Sequence, residues 1–207
     1  MKSIASVITV CFFILLFSCA KTRETKGREY SKYVNEIVDD FAKCMKKKHN
    51  LHCYGSGGSM PHDVEEIELM FNHRGLLSID DARALEVEAI QELLRRINAH
   101  EKIRPFLREY PFHSNRVGVL ISTSTKTGDR PLDGSVALVF SAKNKIHYDA
   151  AEMQMTKPWV HVEMDESGGW TEETIPGELR EVLIPLWEEP YDEAVKIVEA
   201  AIQKNGE

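Results

Sequence analysis

The chain has 207 residues, with 26 lysines and arginines against 33 aspartates and glutamates and a formal charge of −7 at pH 7. That length suits one ordinary domain, long enough to bury a core without covalent staples. The acidic balance excludes a nucleic-acid binder as partner, because phosphate neutralisation needs clustered Lys and Arg, and the one short tract is Lys46-Lys47-Lys48.

At the start of the chain, Lys2 precedes an apolar run from Ile4 to Phe17 that ends at Leu16-Phe17-Ser18-Cys19. A positive start, a short apolar segment and a small residue before the cut describe an export signal. The segment is shorter than the roughly 20 apolar residues of a membrane helix. Its end resembles the lipobox of bacterial lipoprotein precursors, with leucine three positions before a cysteine and a small residue directly before it. An ordinary cleaved signal with an incidental cysteine is the plainer reading of the same residues. The resemblance stops at Cys19, and the remainder of the chain is not recognised as a member of a named family. It implies removal of residues 1–18, palmitate-type lipidation of Cys19, and an extracytoplasmic protein held at a membrane by its lipid anchor. Family members kept in the inner membrane often carry acidic residues after the cysteine. Ala20 and Lys21 do not, which points to the outer membrane of a diderm organism.

Residues 19–28 then read as the lipidated cysteine and a polar tether. Lys21, Arg23, Lys26 and Arg28 face a single acid, Glu24, a charge that suits an anionic lipid surface, although linkers are commonly polar in any case. Residues 29–207 are expected to form a single α+β domain, an antiparallel four- to five-stranded meander packed on one face by two to three helices.

Its first helix follows from Tyr30, Tyr33, Val34, Ile37, Val38, Phe41, Cys44 and Met45, which recur at spacings of three and four. The basic tract at its end complements the helix dipole. From Asn50 to Asp63, Gly55-Ser56-Gly57-Gly58 and Pro61 predict a loop. Cys44 and Cys53 flank its start. In an oxidising compartment they are expected to form a disulfide. With His49, His52 and His62 they also make a set of zinc-type ligands, but the spacing matches no established finger and oxidation would remove both sulfurs. No metal and no cofactor are expected on that account. The glycines also lack the Lys-Ser ending of a phosphate-binding loop.

Alternation over Glu66–His73 predicts a strand, and Ser78 with Asp81 opens a second helix through Ile97 as an approximate capping box. Around Pro105 and Pro111 the chain is irregular. Phe106, Leu107 and Phe112 are expected to pack over the helix end, which leaves Arg104 and Arg108 as candidate partner contacts. The period then changes to two. Val117–Thr123, Ser135–Ser141, Lys145–Ala150 and Trp159–Met164 read as strands, with a tight turn at Lys143-Asn144 and an interruption at Gly168-Gly169. A last helix is expected from about Pro190.

Strand geometry supplies the remaining candidate. Lys145, His147 and Asp149 share one face of their strand, and Trp159, His161 and Glu163 share one face of the next. Were those strands neighbours, His147, Asp149, His161 and Glu163 would converge into a polar patch able to run acid-base chemistry or bind a metal. A sheet covered on one side and wet on the other predicts the same alternation. No Gly-x-Ser-x-Gly elbow and no nucleophile with an obvious base occurs. The sequence therefore favours a non-catalytic binding or envelope-assembly domain with an envelope protein as partner. A lipid-anchored enzyme or metal-binding protein using the His/Asp/Glu face is the alternative.

Overall fold

A computed structural model describes residues 29–164 and 167–205. The expected signal peptide, Cys19 and the tether lie outside the described residues. In chain order there are helix α1 (residues 29–49), strands β1 (His52–Ser59) and β2 (Glu66–Arg74), helix α2 (Ile79–Ala99), strands β3 (Val117–Ser124), β4 (Leu138–Ala142), β5 (Lys145–Met155), β6 (Trp159–Met164), β7 (Trp170–Ile175) and β8 (Leu179–Pro190), and helix α3 (Tyr191–Asn205).

The chain is α+β as expected, but the sheet is larger than a four- to five-stranded meander. Six strands lie in the order β1-β2-β3-β4-β5-β8, and β6 and β7 form a separate pair. Nor is the main sheet antiparallel throughout. From β3 to β8 each neighbouring pair is antiparallel. Strands β2 and β3 instead run the same way. Gly118 sits so close to Glu68 that a Cβ there would stand 2.9 Å from its Cγ. Ser122 donates to the Phe71 carbonyl at 3.2 Å, and Ser124 donates to Asn72 at 3.1 Å. Positions that rise together along both strands mark a parallel pair, and such a pair needs a crossover. Helix α2 supplies it.

Packing divides the chain into two compact units, one running to Met70 and resuming over Glu88–Val119, the other comprising Phe71–Val87 and the chain from Leu120 onward. In the first unit, Tyr30, Val34, Ile37, Phe41 and Met45 of α1 are buried, together with Ala89, Ile90, Leu93 and Ile97 of α2. This is the stripe their spacing predicts. Phe112 and Leu107 are also buried, and Phe106 lies 6.0 Å from the Tyr30 ring. The segment expected to be a glycine-rich loop is mostly strand β1. Its glycines serve close approach to β2 rather than turning. Gly58 has φ +141°, and a Cβ there would stand 2.1 Å from the Glu66 carbonyl oxygen.

In the second unit the capping box forms. The Asp81 amide donates to Ser78 Oγ at 3.1 Å, and that hydroxyl donates to the Asp81 carboxylate at 2.6 Å. The turn between β4 and β5 places Lys143 and Asn144 at φ +50° and +61°, the backbone of a tight hairpin. Val139, Ile146, Tyr148 and Ala150 enter the core. Strand β8, which the sequence pattern does not announce, then pairs along the whole of β5, and α3 starts at Tyr191 directly after it. Two prolines and few β-branched residues hide β8 in the sequence. It tolerates Pro185 beside a register shift and Pro190 at its end because it is an edge strand.

Candidate functional site

Strands β5, β6, β7 and β8 make one long hairpin. Strand β5 pairs with β8 out to Met155 opposite Leu179, and β6 pairs with β7 from Trp159 opposite Ile175 to Met164 opposite Trp170. Between those two sets each side advances four residues through a short stretch, 156–158 and 176–178, that is not strand. Thr156 and Glu178 hold the junction through the Thr156 amide to the Glu178 carbonyl at 2.9 Å and the Glu178 amide to Thr156 Oγ1 at 2.9 Å. Gly177 is required there, since a Cβ would stand 1.9 Å from the Thr156 carbonyl oxygen. Beyond this junction the hairpin leaves the six-stranded sheet and becomes a two-stranded arm.

All six residues of β6 are exposed, and so are all of β7 except the partly exposed Ile175. Ordinarily one face of a ribbon is buried against a second layer. Here the arm carries apolar side chains on both faces into solvent. Trp159 is 54% exposed, Trp170 67% and Trp187, on β8, 54%. These are the three tryptophans of the chain. Val160, Val162, Met164, Met153, Met155, Leu179 and Leu183 are exposed as well. The arm also carries Glu163, Glu172 and Glu173, and the sequence has no lysine or arginine between Trp159 and Ile175.

The structure does not bring the four residues of the expected polar face together. His147 and Asp149 stand on β5, whose neighbours are β4 and β8, while His161 and Glu163 stand on β6, whose neighbour is β7. The histidines are fourteen residues apart along one extended ribbon, a separation on the order of 40 Å. His147 stacks on Phe140 at 4.9 Å and lies 3.5 Å from Glu188, which also accepts from Lys145 at 2.5 Å. Burial raises the pKa of Asp149, opposed by His147. His161 packs edge-on to Trp159 at 5.8 Å. Among the described residues no three His, Cys, Asp or Glu side chains are placed to hold a metal ion.

Cys44 and Cys53 are free thiols here, so the expected disulfide is not formed in this structure. Their sulfurs have different partners: Cys44 Sγ is 3.8 Å from Glu92 Oε1, and Cys53 Sγ is 3.4 Å from the Gly55 carbonyl oxygen. Glu92 is held at a pKa of about 2, chiefly by its hydrogen bond from Arg95 and also by Arg96. Of the two candidate contact arginines, Arg108 is paired with Asp63 and Glu65. Arg104 lies over the Tyr110 ring at 4.8 Å. Both residues are exposed.

No family model, curated protein or solved structure matches the chain. Function must therefore be read from the chain's own chemistry.

One further cluster lies inside the second unit. Arg83 Nε donates to Glu189 Oε1 at 2.6 Å, and the same oxygen accepts from the Tyr148 hydroxyl at 2.5 Å; Asp80 is the other partner of Arg83. Burial and the bond to Glu189 raise the Tyr148 pKa, and burial with the nearby Asp192 pushes Tyr191 up to about 12. Glu86 is fully buried, and neither carboxyl oxygen has a partner at hydrogen-bonding geometry, although Ser141 lies beside it. Burial drives its pKa well above the usual carboxylate range, which favours the neutral form. Sequence reasoning missed Glu86, though its place in line with Ala82, Ala89 and Ile90 marks a charge on an apolar stripe.

Proposed function

We propose that this is a lipid-anchored extracytoplasmic protein that presents a non-catalytic α+β domain at a membrane surface, for binding or envelope assembly, and that the β6–β7 arm is its contacting element. The observation that carries this reading is the exposure of Trp159 and Trp170, together with Val160, Val162 and Met164, on one two-stranded hairpin. An isolated two-stranded ribbon is marginal in water, and exposed aromatic and aliphatic clusters of this kind mark contact surfaces. Tryptophan is also the residue most enriched where binding energy concentrates. Leaving these side chains in solvent is costly unless a partner covers them.

Two measurements test the two halves of the proposal. Labelled palmitate should enter the wild-type chain in bacterial cells and fail to enter a Cys19→Ala variant; equal labelling of both would end the anchoring claim. A photoreactive amino acid at Trp170 should cross-link in intact cells to a defined protein band, whereas the same probe at exposed Lys47 of α1 should not. Cross-linking at neither position, or equally at both, would remove the arm from the proposal.

A further inference from the structure

The second unit contains a cavity of about 500 Å3 between the β2–α2 connection and the β3–β4 connection, residues 125–137. Its walls are chiefly aliphatic. Leu76, Pro131 and Leu132 line it, and Leu76 and Leu132 are 56% and 53% exposed although Pro131 and the neighbouring Leu77 are buried. The backbone ties both connections to the strands. Gly75 donates to the Ser124 carbonyl at 2.8 Å and Val136 donates to the Leu77 carbonyl at 3.2 Å, so the space is built into the fold.

The polar groups around this space are committed to one another. The Thr125 hydroxyl lies 2.8 Å from that of Thr127, which donates to Asp129 at 2.8 Å, and the Thr125 amide donates to the Asp129 carbonyl at 2.7 Å. Asp133, the acid of the lining, accepts from the Ser135 amide at 3.1 Å and from its hydroxyl at 2.6 Å. Arg130 pairs with Glu181 at 3.1 Å. Lys126 differs. It lines the cavity, is exposed, and has no acidic partner among the described residues. Such a space holds water poorly, because an ordered water needs roughly two to four polar partners. A peptide fits it no better, since its amides and carbonyls would find the nearby backbone and hydroxyl groups already bonded.

We infer that this cavity binds a small amphipathic monocarboxylate, an unbranched fatty acid of medium length, with its chain against Leu76, Pro131 and Leu132 and its carboxylate beside Lys126. Mostly apolar walls with one available polar group are the usual make-up of a small-molecule site. On the scale at which about 150 Å3 takes one benzene, the space suits a chain of roughly ten carbons. The chain would cover two leucines that the fold leaves half in water, and the cation would fix which end stays at the surface.

This site is separate from the β6–β7 arm, and its failure would leave the arm's role untouched. Calorimetric titration of the full chain with decanoate should saturate at one site with a dissociation constant on the order of 100 μM. Leu132→Asp, at an exposed position, should keep the wild-type melting temperature and weaken decanoate binding about tenfold or more; Leu76→Asp tests the same wall independently. Lys126→Glu should weaken decanoate about threefold or more and leave decanol unchanged, the size expected of an exposed ion pair. Trp170→Ser should bind as the wild type does. The proposal is overturned by no saturable decanoate binding up to about 1 mM, or by folded Leu132→Asp and Leu76→Asp variants that bind as the wild type. Loss of binding in Trp170→Ser would move the ligand to the arm and overturn it as well. So would decanol or decyltrimethylammonium binding as tightly as decanoate, since Lys126 would then have no part in recognition.

Discussion

Two stretches of the second unit carry nearly the same alternation and meet opposite fates. In β5, Ile146, Tyr148 and Ala150 are buried while His147 and Asp149 stay partly exposed. In β6, Val160, Val162 and Met164 alternate with His161 and Glu163, and every residue is exposed. The side-chain period is identical; what differs is the second layer. Strand β5 has β4 and β8 on either side and contacts α3, whereas β6 has only β7. Alternation says that a strand has two unlike faces. It does not say that anything covers the apolar one.

The sharpest way to break the comparison is to truncate one side chain in each stretch. Tyr148→Ala should destabilise the protein by about 3–5 kcal/mol in urea unfolding, since it opens a core cavity and removes a donor to Glu189. Trp159→Ala should change stability by no more than about 0.5 kcal/mol, because its side chain packs on no core. Similar losses from both would show that the arm is part of the core. Next in size, Arg83→Ala should cost about 3 kcal/mol by leaving the Glu189 carboxylate buried without its cation, and Arg83→Lys should recover part of that.

Glu86 sharpens the comparison through pH. Its folded pKa is raised, so its contribution to stability is fully present below the unfolded value near 4.5 and is lost as pH rises toward the folded value. Unfolding free energy of the wild type relative to Glu86→Gln should fall by about 1.4 kcal/mol per pH unit across that window. A difference independent of pH between 5 and 7 would mean that Glu86 is already ionised in the core. Smaller again, Ser78→Ala should cost about 1 kcal/mol through loss of the cap on α2. A small effect is also expected from removing the arm itself. Replacing residues 156–178 by Asn-Gly should shift the melting temperature by no more than about 3 °C, while abolishing the cross-link at this site. A large drop would mean that the arm supports the sheet.

Much of the fold was legible from local chemistry. The stripe from Tyr30 to Met45, the Ser78 cap, the Lys143-Asn144 turn and the strand at Trp159–Met164 all appear where the pattern places them. Two elements were not. Strand β1 was hidden because Gly55, Gly57 and Gly58 signal a turn in isolation, and only the proximity of β2 shows that Gly58 clears space for its backbone while Gly55 and Gly57 lie against the Met70 and Glu68 side chains. Strand β8 was hidden by its prolines, which an edge strand can hold. The candidate site was legible residue by residue and wrong in assembly, since His147 stands in the six-stranded sheet and His161 in the separate pair.

By itself the sequence determined the periods: which residues could lie on one helix stripe, which alternate along a strand, where a cap and a tight turn would form, and that acids dominate the arm. These depend on covalent spacing and on chemistry within a few residues. Tertiary structure decided which strands became neighbours, that β2 and β3 run parallel across α2, and that β5 received a cover while β6 did not. Those outcomes depend on contacts between residues far apart in the chain, where burial in a second layer rather than local preference determines which apolar face is hidden from water.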